Sequence, residues 1–439
     1  MNALRLLKWR RCRLLCYCLA LLCLYLFWAF TRNGNTIPLN RVFSDSSISD
    51  KLPITVGGFT EETLHSPLNK LIGCNTANRV GFDREMVHSE LKWVYTSQFQ
   101  KQLNHYLGNM VRDYSLPECN RLILFFPATG AFQKDVFLDP SEETDFTAIF
   151  VANYLRLHMI PLIIDSWKGP LVIVIYIPSL RQEAVVNEFL STAQFPANAQ
   201  VYLFKPREDC FYAKHLPINL MRNLAIHYVQ TSHYVVLDTD LRFSQQLYES
   251  LQRVSSAVWR SRYSVVVIPV FHLSEWVVKV KKCGSFLNCT LLSYEKAPST
   301  LSRLRSCVKS EKCQVTRKAT PSDLQTAESW LAGKRSLDRL SCYPLSEVSP
   351  YVVLRRHPSV PLFDPVFYGY EGNIKMYFEE LRYYSNEWYV LKDGFVVNLI
   401  HPKSTYRLRN EETIKNGVAM NPFLMELRYH ELMEKRQRV

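Results

Sequence analysis

The sequence predicts an α/β fold with a mostly parallel sheet and flanking helices. The run 171–176 is unbroken and rich in β-branched residues, which is typical of a buried parallel strand. Between residues 120 and 240, apolar runs alternate with segments whose apolar residues recur at helical spacing. That alternation is typical of parallel strands joined by crossover helices. The chain has 439 residues and is 47% hydrophobic, which suffices for a sizeable core.

The individual elements follow from local patterns. Four strands are predicted from short apolar runs, at residues 121–126, 171–176, 200–204 and 234–237. Four helices are predicted, at residues 85–107, 145–163, 180–191 and 217–228. An amphipathic segment, residues 241–251, follows the last of these strands.

The N-terminus predicts a membrane anchor. Residues 1–13 contain five basic side chains and no acid, and residues 14–30 carry no charge. The apolar run is close to the length of roughly 17–25 residues that spans a bilayer. A cleaved signal peptide is the alternative, but no small-residue cleavage site follows the run. We therefore expect a cytosolic tail, a single-pass type II anchor, a polar stem at 31–65 and a lumenal domain at 66–439.

The anchor is short, and a short anchor suits the thin membranes of the early secretory pathway. The net charge of +13 is spread thinly beyond the tail, without a basic run interleaved with aromatics, so nucleic-acid binding is not expected. A mildly basic domain suits an anionic ligand such as a nucleotide diphosphate or an acidic glycan. The sequence leaves the oligomeric state open.

The cysteines fit a lumenal domain. Eight of the 12 cysteines lie beyond residue 30, and an even count permits disulfides without specifying their connectivity. Four of them fall within residues 283–313, a polar stretch without periodicity, for which we expect a disulfide-stapled loop. A zinc site is the alternative, but the spacings are irregular and no histidine joins them. Asn288 begins the sequon Asn-Cys-Thr and predicts a glycoprotein if this domain is lumenal.

Two carboxylates at the end of a predicted strand are candidate metal ligands. Asp238 and Asp240 directly follow the apolar run 234–237, and ligands bind beyond the carboxyl ends of parallel strands. Two carboxylates at this spacing can share a hard divalent cation with the phosphates of a nucleotide-sugar. The alternative is a pair of exposed turn aspartates that cap the next helix.

An ordered set of segments resembles glycosyltransferase family 49. The segments read LPINLMRNLA, YVVLDTD, DSWKGPLV, VIPVF, SPYVV, FDPVF and VLKDGFVV, and they fall between residues 120 and 410. A set in this order and spacing is more specific than any single motif. The resemblance implies a GT-A fold for a core of about residues 120–410, a Golgi type II enzyme, a manganese-type ion and a UDP-sugar donor.

The resemblance also implies roles for individual residues. Asp238 and Asp240 would ligate the metal, with Asp238 next to the nucleotide, and Asn219 and Arg222 would lie on the helix that leads to it. A guanidinium suits phosphate by charge and geometry, although a surface ion pair is the alternative for Arg222. The family has a histidine as third metal ligand in its closing motif, where this sequence has Asn398.

His401, three residues after that asparagine, is the substitute candidate for the third ligand. For an inverting transfer a carboxylate must accept the proton of the acceptor hydroxyl, and Asp364 and Glu371 are the candidates. The expected function is metal-dependent transfer of a glucuronic acid or N-acetylglucosamine-like sugar from UDP to a glycan. The family pattern is also broken at Ser349 and Val366, so a catalytically degenerate Golgi glycan-binding or accessory subunit is the alternative.

Overall fold

The computed structural model describes residues 120–126, 143–315, 330–333, 336–340, 351–364, 367, 373–385 and 387–403. The predicted tail (1–13), anchor (14–30), stem (31–65) and helix 85–107 lie outside these residues, as does Glu371. Within the described ranges, no helix combines the length and apolar character needed to cross a bilayer.

The described chain forms one large and one small sheet with helices around them. The strands are β1 (Asn120–Phe126), β2 (Phe146–Asn153), β3 (Leu171–Tyr176), β4 (Ala199–Pro206), β5 (His233–Leu237), β6 (Leu241–Phe243), β7 (Ser264–Ile268), β8 (Val270–Leu273), β9 (Cys313–Gln314), β10 (Leu337–Leu340), β11 (Tyr351–Arg355), β12 (Glu387–Leu391) and β13 (Val396–Asn398).

The helices lie between these strands. They are α1 (Ile160–Ser166), α2 (Leu180–Thr192), α3 (Phe211–Lys214), α4 (Ile218–His227), α5 (Leu247–Gln252), α6 (Ser256–Arg260), α7 (Val280–Cys283), α8 (Phe286–Lys296), α9 (Leu301–Lys309) and α10 (Asn373–Tyr384). A 3-10 turn, Tyr154–Met159, joins β2 to α1. The strands and helices predicted at 121–126, 171–176, 180–191, 200–204, 217–228 and 234–237 are confirmed within a few residues.

The large sheet has the order β1-β4-β3-β2-β5-β11-β7-β12-β10. Its centre, β4-β3-β2-β5, is parallel, as is the β7–β12 pair. The other four pairings are antiparallel. The α/β prediction is confirmed, but the sheet is mixed rather than mostly parallel. The apolar character of a run shows that a strand is buried, whereas its direction depends on distant connections that local patterns do not record.

The helix predicted over residues 145–163 is wrong in its first half, because residues 146–153 form the central strand β2. All of that strand except Val151 is buried, since it has a neighbouring strand on each side and both of its faces are covered. A strand buried on both faces has no polar alternation, so its apolar residues can match helical spacing by chance. Within the segment only residues 160–163 are α-helical, as the start of α1. Likewise, the amphipathic segment 241–251 divides into β6 and α5.

The region 283–313 is helical rather than a loop. Ser285 and Thr300 cap α8 and α9, each by accepting a hydrogen bond from a backbone N–H three residues later. Two disulfides, Cys283–Cys289 and Cys307–Cys313, staple these helices, so the four cysteines are not zinc ligands. The disulfide prediction is confirmed, and Asn288 of the sequon is exposed on α8.

The order of the central strands creates a switch point between β2 and β5. The chain passes from β2 to β3 and β4 on one side, and then returns to the other side of β2 to form β5. Crevices at such points, beyond the carboxyl ends of the strands, are where ligands bind in this class of sheet. The small sheet, β6-β13-β8-β9, continues from the same place, because only residues 238–240 separate the end of β5 from the start of β6.

His233, at the start of β5, predicts a pH-dependent stability. Its ring is buried against Trp259, whose carbonyl oxygen lies 3.1 Å from Nε2, and burial lowers the pKa of His233 to about 3. The unfolded chain, with an ordinary histidine pKa, therefore binds more protons, and stability falls as the pH drops below about 6.5. Between pH 7.5 and 5 we expect this residue alone to cost about 2 kcal/mol of unfolding free energy.

Denaturant unfolding at the two pH values checks this. The His233→Gln variant, although less stable at neutral pH, should lose about 2 kcal/mol less than the wild type on acidification. His227→Gln, at an exposed position at the end of α4, is the matched control and should keep the wild-type pH dependence. Equal pH dependence of the wild type and His233→Gln would contradict the assignment.

Candidate active site

The two aspartates of the Asp-Thr-Asp segment lie in different environments. The segment connects the end of β5 to the start of β6. The Asp238 side chain is 44% exposed, whereas that of Asp240 is only 9% exposed. One carboxylate therefore faces the crevice and the other points into the protein.

Asp240 is held by two basic side chains on the same oxygen. Its Oδ2 lies 2.8 Å from Nη2 of Arg156 and 2.9 Å from Nε2 of His401. Burial alone would raise the pKa of Asp240, but the Arg156 guanidinium and the hydrogen bond from His401 outweigh it and hold that pKa well below its usual range. The carboxylate is therefore charged and firmly paired.

Arg156 reaches Asp240 because β2 and β5 are parallel neighbours whose carboxyl ends meet at one edge. The 3-10 turn that carries Arg156 begins directly after β2, where the Leu155 N–H donates to Asn153 Oδ1 at 3.1 Å. The guanidinium also lies over the Phe286 ring of α8, 5.0 Å from its centroid. The turn and the Phe286 ring together fix the positively charged guanidinium of Arg156 beside Asp240.

Asp238 is contacted by one phenol and one guanidinium. The Tyr351 hydroxyl, at the start of β11, donates to Oδ2 at 2.9 Å, and Arg222 Nη2 of α4 lies 3.5 Å from Oδ1. Burial, and then the negative charge of Asp238, raise the pKa of Tyr351 well above its ordinary value, so the phenol stays protonated and donates. Arg222 is buried and stacks over Phe363 at 5.0 Å.

Asn398 lies on the strand whose backbone pairs beside Asp240. It lies on β13, opposite Leu241 of β6, and the Leu399 N–H donates to the Asp240 carbonyl at 3.0 Å. Its Oδ1 is buried and has no hydrogen-bond partner among the described residues. A buried amide oxygen without a partner is costly and is a ligand type that manganese and magnesium accept.

The side chains named above carry the donor atoms that a hard divalent cation prefers. Asp238, Asp240 and Asn398 offer carboxylate and carbonyl oxygens, which suit such ions. In the part of the chain that is described, no cluster of three or more His, Cys, Asp or Glu side chains is arranged to hold a metal. An ion here would therefore need the amide oxygen or oxygens of a bound phosphate.

The α4 helix joins Arg222 to the predicted acceptor side. Asn219 is fully buried, its Nδ2 donates to the Asp364 carbonyl at 2.8 Å, and its Oδ1 accepts from Arg222 at 3.3 Å. One turn later Asn223 both donates to and accepts from the Phe363 backbone, at 2.6 and 2.9 Å. Asn219 is thus bonded to protein groups, while the half-buried Asp364 is held close to Arg222.

The structure brings the predicted residues into two neighbouring groups. Asn219, Arg222, Asp238 and Asp364 are linked through α4, and Asp240, Asn398 and His401 are linked through β13. Sequence reasoning assigned no role to Arg156 or Tyr351. Arg156 is a charged residue inside an apolar run, which is a weak signal, and Tyr351 lies in one of the segments that carry the family resemblance.

Asn223 predicts a large structural effect from a small substitution. Asn223→Ala leaves the N–H and C=O of Phe363 buried without partners, and we expect a loss of about 2 to 4 kcal/mol in unfolding free energy. Asn187→Ala, at an exposed position on α2, is the matched control and should change stability by about 0.5 kcal/mol or less. Denaturant unfolding of both variants checks this, and equal effects would contradict the role of Asn223.

Comparison with known proteins identifies the family. The family model for glycosyltransferase family 49, described as a glycosyl-transferase for dystroglycan, matches residues 197–430. Human xylosyl- and glucuronyltransferase LARGE1 is 23% identical over 282 residues, which cover 60% of this chain and 32% of LARGE1. Chicken (Gallus gallus) LARGE2s is 26% identical over 274 residues, covering 61% and 33%.

This chain spans about a third of the length of the curated relatives it matches. A distant likeness to a solved structure, GalNAc-T7 with UDP, GalNAc and Mn2+, has a TM-score of 0.36 and 10% identity, and it covers 63% of this chain and 48% of that one. The family match includes more than half of the 439 residues, among them both aspartates and the β13 segment. The chain therefore belongs to glycosyltransferase family 49.

Proposed function

We propose that this protein is a glycosyltransferase with a GT-A type fold that moves a sugar from a UDP-sugar to a hydroxyl of a glycan acceptor. Membership of the family supports the transferase class. The observation that carries the proposal is the pairing of Asp238 and Asp240 with two buried arginines at the switch point between β2 and β5. That edge of the sheet is where nucleotide ligands bind in related architectures.

The donor site is built around the half-exposed Asp238. The Arg222 guanidinium lies beside it and can pair with phosphate oxygens by charge and by its fork geometry. Asp238, Asp240 and Asn398 would hold a Mn2+ or similar divalent cation, and His401 would join them as a ligand only after giving up its hydrogen bond to Asp240. When bound, such an ion neutralises the charge that develops on the departing diphosphate.

On the acceptor side, Asp364 is the proposed base of an inverting transfer. It would accept the proton of the attacking hydroxyl, while Asn219 holds its backbone carbonyl at 2.8 Å and so fixes its position relative to Arg222. Glu371 is the second candidate for the base and lies outside the described residues.

The proposed donors are UDP-glucuronic acid and a UDP-N-acetylglucosamine-like sugar. The names of the LARGE relatives also include xylosyl transfer, so UDP-xylose belongs in the same test. We propose that the enzyme is a single-pass type II protein of the Golgi membrane, anchored by residues 14–30, with its catalytic domain in the lumen. The two disulfides support an oxidising compartment.

The test is UDP binding to the purified full-length protein with and without Mn2+, measured by calorimetry. Asp238→Asn and Asp240→Asn should each weaken Mn2+-dependent binding by about 1.4 kcal/mol or more, which is tenfold. Asp165→Asn, whose side chain is 88% exposed, is the matched control and should bind like the wild type. Undiminished UDP binding in both site variants would refute this donor site.

A catalytically degenerate Golgi glycan-binding or accessory subunit is the second candidate. The feature that favours it is Asn398, because the resemblance to the family implies a metal-binding histidine at this position. A screen of UDP release with the three donors and a glycan acceptor separates the two functions. Turnover that is lost in Asp240→Asn supports the enzyme, and glycan binding without turnover of any donor supports the subunit.

A further inference from the structure

We propose that Arg156 is a positioning residue that makes divalent-cation binding depend on the nucleotide. It holds Asp240 in the free protein, and it releases that carboxylate to the ion when a diphosphate is present to pair with the guanidinium instead. The inference rests on the proposed function, because it concerns the same donor site.

The first argument is the burial of the ion pair. Arg156 Nη2 lies 2.8 Å from Asp240 Oδ2, and the two side chains are 11% and 9% exposed. Removing one partner from a buried pair is costly, because the other charge is left without compensation in a poorly solvated place. A metal ion that binds Asp240 in the free protein would leave Arg156 without its partner. The ion would also place its own positive charge close to the guanidinium.

The second argument is the balance of charge. The carboxylate of Asp238 lies 3.5 Å from Arg222, and that of Asp240 lies 2.8 Å from Arg156 and 2.9 Å from His401. A pair of carboxylates without such partners presents two negative charges to an incoming ion, whereas this site is already close to neutral. A diphosphate supplies the missing negative charge, so ion and nucleotide should bind with positive coupling.

The third argument is that Arg156 cannot easily move away on its own. It is carried by the 3-10 turn directly after β2, and its guanidinium stacks over Phe286 of α8. The fold therefore fixes the positive charge of Arg156 near Asp240. A purely structural ion pair makes the opposite prediction for substitution, since loss of Arg156 would then loosen the site and weaken ion binding.

The experiment measures Mn2+ binding by electron paramagnetic resonance of the free ion, with and without UDP, in the full-length protein. Without UDP, Arg156→Gln should bind Mn2+ about tenfold more tightly than the wild type or better, because a like charge beside the ion is gone. The factor by which UDP enhances Mn2+ binding should shrink correspondingly. Arg156→Lys, which keeps the charge, and Arg181→Gln, at an exposed position on α2, should both resemble the wild type.

An Arg156→Gln variant that is folded and binds Mn2+ no more tightly than the wild type overturns the inference. If that variant does not fold, the guanidinium NMR signal of Arg156 in the wild type, assigned by its loss in Arg156→Lys, decides instead. The signal should stay in place with Mg2+ alone and shift with Mg2+ plus UDP, and a full shift with Mg2+ alone overturns the inference. If neither the wild type nor the Arg156→Gln variant binds the ion or UDP, alone or together, the proposed donor site itself is overturned.

Discussion

The parallel pairing of β2 with β5 is the constraint on which the candidate site depends. It brings the turn after β2 and the Asp-Thr-Asp segment after β5 to one edge of the sheet, although Arg156 and Asp240 are 84 residues apart in sequence. The intervening β3 and β4 extend the sheet on the far side of β2 and leave this edge open as a crevice. The contact of Asp240 with Arg156 follows from that order of strands, whereas its contacts with His401 and Leu399 come from the pairing of β13 with β6 in the small sheet.

The two aspartates of the Asp-Thr-Asp segment point in different directions because the segment is a turn rather than a strand. In an extended strand, residues two apart would share one face. Here Asp238 faces the crevice and is half exposed, whereas Asp240 turns inward and is paired with Arg156 and His401. A soluble ligand therefore meets Asp238 first, and access to Asp240 requires exchange of partners.

Local sequence patterns predict the strands and helices whose residues all share the same degree of burial. The sequence alone predicts β3 at its observed bounds, because all six of its residues are buried in an unbroken apolar run. It misses β2 for a related reason, since a strand with two neighbours and two covered faces carries no alternation to distinguish it from a helix. Helix α9 is missed because most of its residues are polar, and α8 is missed because it exposes leucines and buries Thr290 and Ser293, so neither shows a clear apolar stripe. Their Ser285 and Thr300 caps are nevertheless visible in the sequence.

In the candidate site, too, some residues can be predicted from a local sequence pattern and others only from the arrangement of the strands. Asp238 and Asp240 can be predicted from the sequence, because a strand followed by two acids is a local pattern with a chemical meaning. The partners that determine what those acids can do, Arg156 and Tyr351, come from other strands. Such pairings depend on sheet order, which a single sequence read residue by residue does not record.

The closing segment holds two polar side chains, His401 and Asn398, whose hydrogen bonding differs. Both ring nitrogens of His401 face oxygens, Nδ1 at 2.8 Å from the Pro402 carbonyl and Nε2 at 2.9 Å from Asp240. A nitrogen that donates a hydrogen bond to a carboxylate cannot at the same time offer a lone pair to a metal. As the ring lies, His401 therefore serves Asp240 as a donor. The amide oxygen of Asn398 is buried and has no hydrogen bond among the described residues. It is therefore the group on β13 that can bind a cation without first losing a hydrogen bond.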